Sequence, residues 1–268
     1  MANRIMANRI TPNQWAPFPY ADKAYEYTAA SLKKSWERLH RGDCEPLPGE
    51  PKALEAWIAY HAGRFEQAVE LGLAAGGSGI NAANKAACIY GTYLEADEKK
   101  KLKIFEEAAA RAEKLQKAGP NNANAFYLHA FALGRYAQGI SIVKALKEGI
   151  GTKVKNSLDA ATKLAPNHAD AHIALGAYHA EIIDSVGAML GGLTYGAKKD
   201  IGEAMFAKAL TLNPDSAIAR IEMANGLIML HGKSKVKDAE KLYAEAAKHN
   251  PADAMERLDV EQAKAELE

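Results

Sequence analysis

The chain has 268 residues, 48% hydrophobic and 25% charged, enough to bury a sizeable core as one large domain or two smaller ones. Its 34 basic and 33 acidic residues leave a formal net charge of +1, which argues against a broad basic surface and so against nucleic acid as the main partner. No run approaches the ~20 apolar residues of a membrane span, and the start "MANRIMANRITPNQW" lacks the apolar segment of a secretory signal.

The doubled "MANRI" is set aside as a repeated start. Residues 11–27, "TPNQWAPFPYADKAYEY", follow it. Pro12, Pro17 and Pro19 deny a regular helix, so an extended arm is predicted, turning helical near Ala21. Trp15, Phe18 and Tyr20 are too apolar for a free tail and should cover the first helices that follow, or a neighbouring subunit. "RGDCEPLPGEP" (41–51) is a loop that joins an N-terminal helix to the rest. Cys44 there and Cys88 form no CxxC pattern, and two free thiols in a reducing compartment make the cytoplasm the expected location.

"AAGGSGINAANK" is predicted to be a helix-to-helix turn, and Glu98 to Lys101 a solvated face at a helix start. Four helical stretches then end in similar text: "QKAGP" at Pro120, "TKLAP" at Pro166, "LTLNP" at Pro214 and "AKHNP" at Pro251. Before each proline, at fixed offsets, stand Ala108, Ala112 and Leu115; Val154, Leu158 and Ala161; Gly202, Phe206 and Ala209; and Ala239, Tyr243 and Ala246. Steps of four and three place each trio on one helical stripe, where small residues admit a partner helix and a large one fills the gap. No alternating strand pattern with Asn-Gly or Asp-Gly turns competes.

These offsets, with Leu175-Gly176 after Pro166, resemble the tetratricopeptide repeat (TPR). "DAHIALGAYHAE" stands as helix A and "DIGEAMFAKALTLNP" as helix B; Gly63, Phe65, Ala68 and Gly72 mark an earlier degenerate unit. Residues 175–214 also look like the TPR-like region of regulator-of-microtubule-dynamics proteins, which carry a Gly-containing insertion between the paired helices. The resemblance implies an all-α, right-handed helical-pair solenoid of four to five pairs. Its divisions are an N-terminal arm, helix and linker (1–50), a repeat array (51–251) and a C-terminal capping helix (252–268) with a polar outer face.

Catalytic and metal chemistry finds little support. His168 and His172 are four apart, but Ala169 stands where the HExxH glutamate would be. His168 is better placed to cap a helix and His172 to pack in place of an aromatic residue, and His179 and Glu181 lie on different faces. "GGLTYGAKK" has Ala197 where a phosphate-binding loop needs lysine, and "GIGTKVK" is too short. No metal, cofactor or enzymatic activity is expected. Two insertions lengthen the units, "ISIVKALKEGIGTK" (140–153) and "DSVGAMLGGLTYGAKKD" (184–200). Each is read as a local extension that packs on its own repeat, with an apolar lip or a subunit contact as the functional alternative.

The resemblance also implies which residues face the concave groove. They are Asn124, Tyr127, Phe131, Gly134 and Arg135 in one unit, Asp170, Ile173, Ala177, Ala180 and Glu181 in the next, and Ile218, Ile221, Asn225, Ile228 and Met229 in the last. The lining is mainly apolar, with Arg135, Glu181 and Asn225 as polar fixtures. Of the clamp that TPR chaperone cofactors close on a C-terminal carboxylate, only Asn225 matches. The expected function is therefore a non-enzymatic adaptor or scaffold that binds a peptide or helix of a protein partner through Asn124, Tyr127, Phe131, Arg135, Ile173, Glu181, Ile221, Asn225 and Met229. The alternative is a carrier of a small apolar ligand in a tunnel beneath the 184–200 insertion. Oligomers could form through that insertion or the arm, and curvature could instead turn the groove into core.

Overall fold

A computed structural model describes residues 15–268. The doubled "MANRI", Thr11 and Pro12 lie outside the described residues. Among those described there is no strand, and no helix is long and apolar enough to cross a membrane. The helices are α1 (Ala29–Leu39), α2 (Pro51–His61), α3 (Phe65–Ala75), α4 (Gly79–Tyr93), α5 (Glu98–Ala118), α6 (Ala123–Ile140), α7 (Ile142–Lys147), α8 (Ile150–Leu164), α9 (Ala169–Val186), α10 (Ala188–Tyr195), α11 (Lys199–Leu212), α12 (Ala217–His231), α13 (Val236–Ala246) and α14 (Ala254–Ala265). Five hairpins stack in order: α2 with α3, α4 with α5, α6 with α8, α9 with α11 and α12 with α13. This is an all-α TPR-type solenoid.

The small-large-small stripes hold the hairpins together. Eleven of their twelve residues are buried, with Leu115 half-exposed. Phe206 of α11 shows why small neighbours are needed. Its ring lies so close to Gly176 of α9 that a Cβ there would stand 2.7 Å away, and it presses still more closely on Gly226 of α12. Glycine on both sides lets one aromatic ring join three helices.

Helix starts follow their capping side chains. Thr28 and Ser31 form a reciprocal box at α1, and Asn122, His168, Ser216 and Asp253 each accept a backbone N–H in the first turn of α6, α9, α12 and α14. The helix predicted from Ala21 begins instead at Ala29. Only a short 3₁₀ turn, Lys23–Tyr25, precedes it, because Asp22 caps that turn and Thr28 starts the true helix. The Gly-rich stretch before residue 88 departs further from expectation. Gly76 and Gly77 turn the chain with positive φ, but residues 79 onward form α4, one of the most buried helices.

The arm covers the first hairpins. Trp15 stacks on Tyr90 with ring centroids 4.0 Å apart, and Phe18 meets Phe65 edge-on. At the other end, α14 does more than close the stack, since it packs against α12, α13 and α2. Asp253 accepts a hydrogen bond from His61 (2.7 Å), Tyr93 donates to Asp259 (2.5 Å), Arg38 forks onto Glu256 (2.6 and 3.0 Å), and Tyr27 donates to the carbonyl of Ala252 (2.9 Å). Ala254 and Leu258 thus share one core with Leu32, Trp36 and Trp57. The curved array returns to its own beginning, and its concave side becomes a half-open cavity.

Candidate functional site: a cavity on the concave side

Helices α6 and α9 supply the long walls of that space. Tyr127, Ala130, Phe131, Gly134, Arg135 and Gln138 form one stripe, and Asp170, Ile173, Ala174, Ala177 and Glu181 form another, both at the three- and four-residue steps of a helix face. Lys85, Ile89 and Tyr93 of α4, Ile218 and Glu222 of α12, and Met255 and Asp259 of α14 complete one end. The other end is apolar and lies under α7 and α8, among Ile142, Leu146, Ile150, Val154, Tyr178 and Ile182. The cavity volume is about 140 Å³, close to that of an engineered apolar cavity able to hold benzene.

Charge is distributed unevenly along it. Arg135 donates to Glu222 (2.8 Å) and its guanidinium lies 5.7 Å from the Phe131 ring centroid. Burial disfavours the Lys85 ammonium, but the Asp43 carboxylate against it wins and raises its pKa. Asp170 stands 3.9 Å from the same ammonium. Those two cations face four carboxyls, Asp170, Glu181, Glu222 and Asp259, and Lys85 is already engaged by Asp43. Burial therefore pushes Asp170 up to about 6, Glu181 to about 7 despite its bond from Gln138, and Asp259 to about 8 despite its bond from Tyr93. The cavity has more acid than it can neutralise.

A buried polar chain lies behind this end. His61 bridges Asp253 to His40, whose imidazole meets Asp43 at 2.9 Å; Asp43 in turn holds Lys85. Beside it, Glu45 accepts from Asn81 and Asn124, and Asn124 meets His168 at 2.9 Å. The loop at 41–50 is thereby tied to α4, α6 and α9.

Of the residues expected to face the groove, Tyr127, Phe131, Arg135, Ile173 and Glu181 meet in this cavity, with Gly134, Asp170, Ala177 and Ile218. Six stand elsewhere, of which Ala180 is buried in the central core and Ile228 is exposed. Asn124 is buried with its amide spent on Asp43, Glu45 and His168. Ile221 is fully buried in the core shared with α13 and α14. Asn225 accepts from the Tyr243 hydroxyl, and Met229 packs on the central core. Lys85 and Tyr93 were missed because α4 reads as a turn, Met255 and Asp259 because α14 reads as a cap, and Glu222 because the groove positions counted along α12 pass over it. The histidines serve structure: His168 caps α9, His172 meets the carbonyl of Pro166 at 2.9 Å, and His179 accepts from the Lys198 N–H. Among the described residues no group of three His, Cys, Asp or Glu side chains could hold a metal.

The family model described as "Regulator of microtubule dynamics protein 1-3" matches residues 77–268. No curated protein matches the chain. Among solved structures, a thermophilic TPR protein of Thermus thermophilus is 18% identical and superposes with a TM-score of 0.56, covering 80% of this chain and 97% of its own. YrrB, a TPR protein with an unusual peptide-binding site, is 16% identical over 88% of this chain and 100% of its own, with a TM-score of 0.40. The first of these shares the fold.

Proposed function

The chain belongs to the regulator of microtubule dynamics protein 1-3 family, and on that premise we propose that it is a non-enzymatic binding protein whose concave cavity takes a segment of a partner protein. The cytoplasm is its proposed location. One observation carries the reading: an apolar-walled cavity on the helix A faces keeps more carboxyls than cations along its sides. The segment that suits it presents an apolar side chain next to a lysine or arginine. The base would take up Asp170, Glu181 or Asp259, and the apolar group would lie along Phe131 and Ile173.

A second reading has its own support. The end under α7 and α8 is lined by Ile142, Leu146, Ile150 and Val154 without a charged group among them, which suits a small apolar molecule.

Gly134 gives the test. It lines the cavity in mid-helix, and a Cβ built there meets nothing within 4 Å. Gly134→Leu should therefore fill the space without disturbing α6. Affinity capture from native lysate with wild type and variant, followed by mass spectrometry, should show a partner that the variant retains at least ~10-fold less, with circular dichroism unchanged. Equal retention by both would refute the segment-binding reading. A small molecule seen by native mass spectrometry in wild type and absent from the variant would favour the second.

A further inference from the structure

The connectors between the paired helices point to a second surface. Helices α6, α9 and α12 open successive hairpins and lie side by side, so the links from each to its partner emerge on one edge. Those links contain α7, α10 and the short 3₁₀ turn Gly232–Lys235. Here α10 is held firmly. Gly191 is buried against Ile182 and Ala197, Tyr178 donates to the Tyr195 carbonyl (3.2 Å), and Ala197 donates to that of Gly191 (3.0 Å).

That anchoring turns the largest side chains outward. Met189 is 81% exposed, Leu193 84% and Leu190 52%, and no other large apolar side chain among the described residues is as exposed as these three. Val143 on α7 and Val236 beside the 3₁₀ turn are also exposed. The same links are basic. Residues 140–153, 186–200 and 231–238 hold eight lysines against three acidic residues, a formal +5 in a chain of net +1. Lys147, Lys198, Lys233 and Lys237 are exposed, and none makes an ion pair among the described residues.

We infer that this edge docks on an anionic lipid surface, with Met189, Leu190 and Leu193 entering the headgroup layer and the lysines lying along it. Exposed leucine and methionine on a rigid short helix gain by leaving water, and lysine stems can lie on the apolar boundary while their ammonium groups meet phosphate or carboxylate. A second copy of the chain fits poorly, because a two-fold contact through this edge would set lysine against lysine. Met189, Leu190 and Leu193 do not line the cavity, so the inference does not depend on its occupant.

Flotation of the full chain with vesicles tests this. Binding is expected to vesicles of phosphatidylcholine with about a third phosphatidylserine, to weaken as salt rises, and to be absent from phosphatidylcholine alone. Met189→Glu with Leu193→Glu, and separately Lys147→Glu with Lys233→Glu, change exposed side chains only and should each weaken binding by ~10-fold or more with helical content intact. Failure of wild type to float, or variants that float as wild type does, would overturn the inference. So would binding to polyglutamate as tight as to vesicles and unaffected by the Met189 and Leu193 changes, which would mean an acidic protein partner. A dimer in sedimentation velocity that those changes dissociate would overturn it in favour of a second copy.

Discussion

Glu45 offers a measurable consequence of the buried network. It is 6% exposed, in the loop between α1 and α2. Burial, reinforced by the Asp43 carboxylate, pushes its carboxyl from an ordinary 4.5 up to about 8, against the bonds it accepts from Asn81 and Asn124. The folded chain then keeps a proton that the unfolded chain gives up above pH 4.5. Stability from this group is complete below pH 4.5 and is lost as pH rises through about 8. The slope between is about 1.4 kcal/mol per pH unit, or ~2–3 kcal/mol from pH 5.5 to 7.5. Glu45→Gln stays neutral throughout. Urea unfolding at pH 5.5, 6.5 and 7.5 should show the variant gaining on wild type at each step, by a total of ~2–3 kcal/mol. Parallel curves, or a variant weaker by the same amount at every pH, would show that Glu45 is ionised in the folded chain and that the reasoning fails.

Two glycine substitutions should act in opposite directions. Gly134→Ala fills open space in α6 and should stabilise by ~1 kcal/mol through helix propensity. Gly226→Ala meets a Phe206 ring that Gly176 prevents from retreating, and overpacking of ~1–3 kcal/mol should exceed the same helical gain. Thermal melts of the two variants should thus move to opposite sides of wild type. Asp253→Ala removes the cap of α14 and the acceptor of buried His61, for a loss of ~2–4 kcal/mol and faster proteolysis of the C-terminal helix.

Most of the fold was legible because hairpin packing leaves a local signature. Phe206 needs small residues beside it, and proline stops the second helix of four of the five hairpins, so offsets counted back from Pro214 or Pro251 find the buried stripe directly. Helix α4 escaped because its signature is weak. It follows Gly76-Gly77-Ser78 and itself begins with glycine, and its buried side chains are mostly alanine and asparagine rather than the large apolar residues that mark a periodic face. The groove positions of α6 and α9 could be counted for the same reason as the stripes. Those of α12 shifted in effect because α13 and α14 claim Ile221 and Asn225.

The acidic end of the cavity could not be read this way, for a physical reason. Tyr93 and Asp259 are 166 residues apart, and Lys85 and Asp43 are 42 apart. Helical periodicity reports which face of a helix is buried and is silent about which distant helix buries it. In a stack of hairpins each unit touches its neighbours, so curvature alone decides whether the last helix meets the first. Here it does, and the carboxylates that a capping helix would ordinarily show to water face tyrosine, histidine and arginine from the first 95 residues. Asp259 in particular is withdrawn from water, meets a tyrosine hydroxyl and makes no ion pair among the described residues. Under the proposed function, a basic side chain entering the cavity would meet Asp259 there, so the helix that closes the array would also take part in binding.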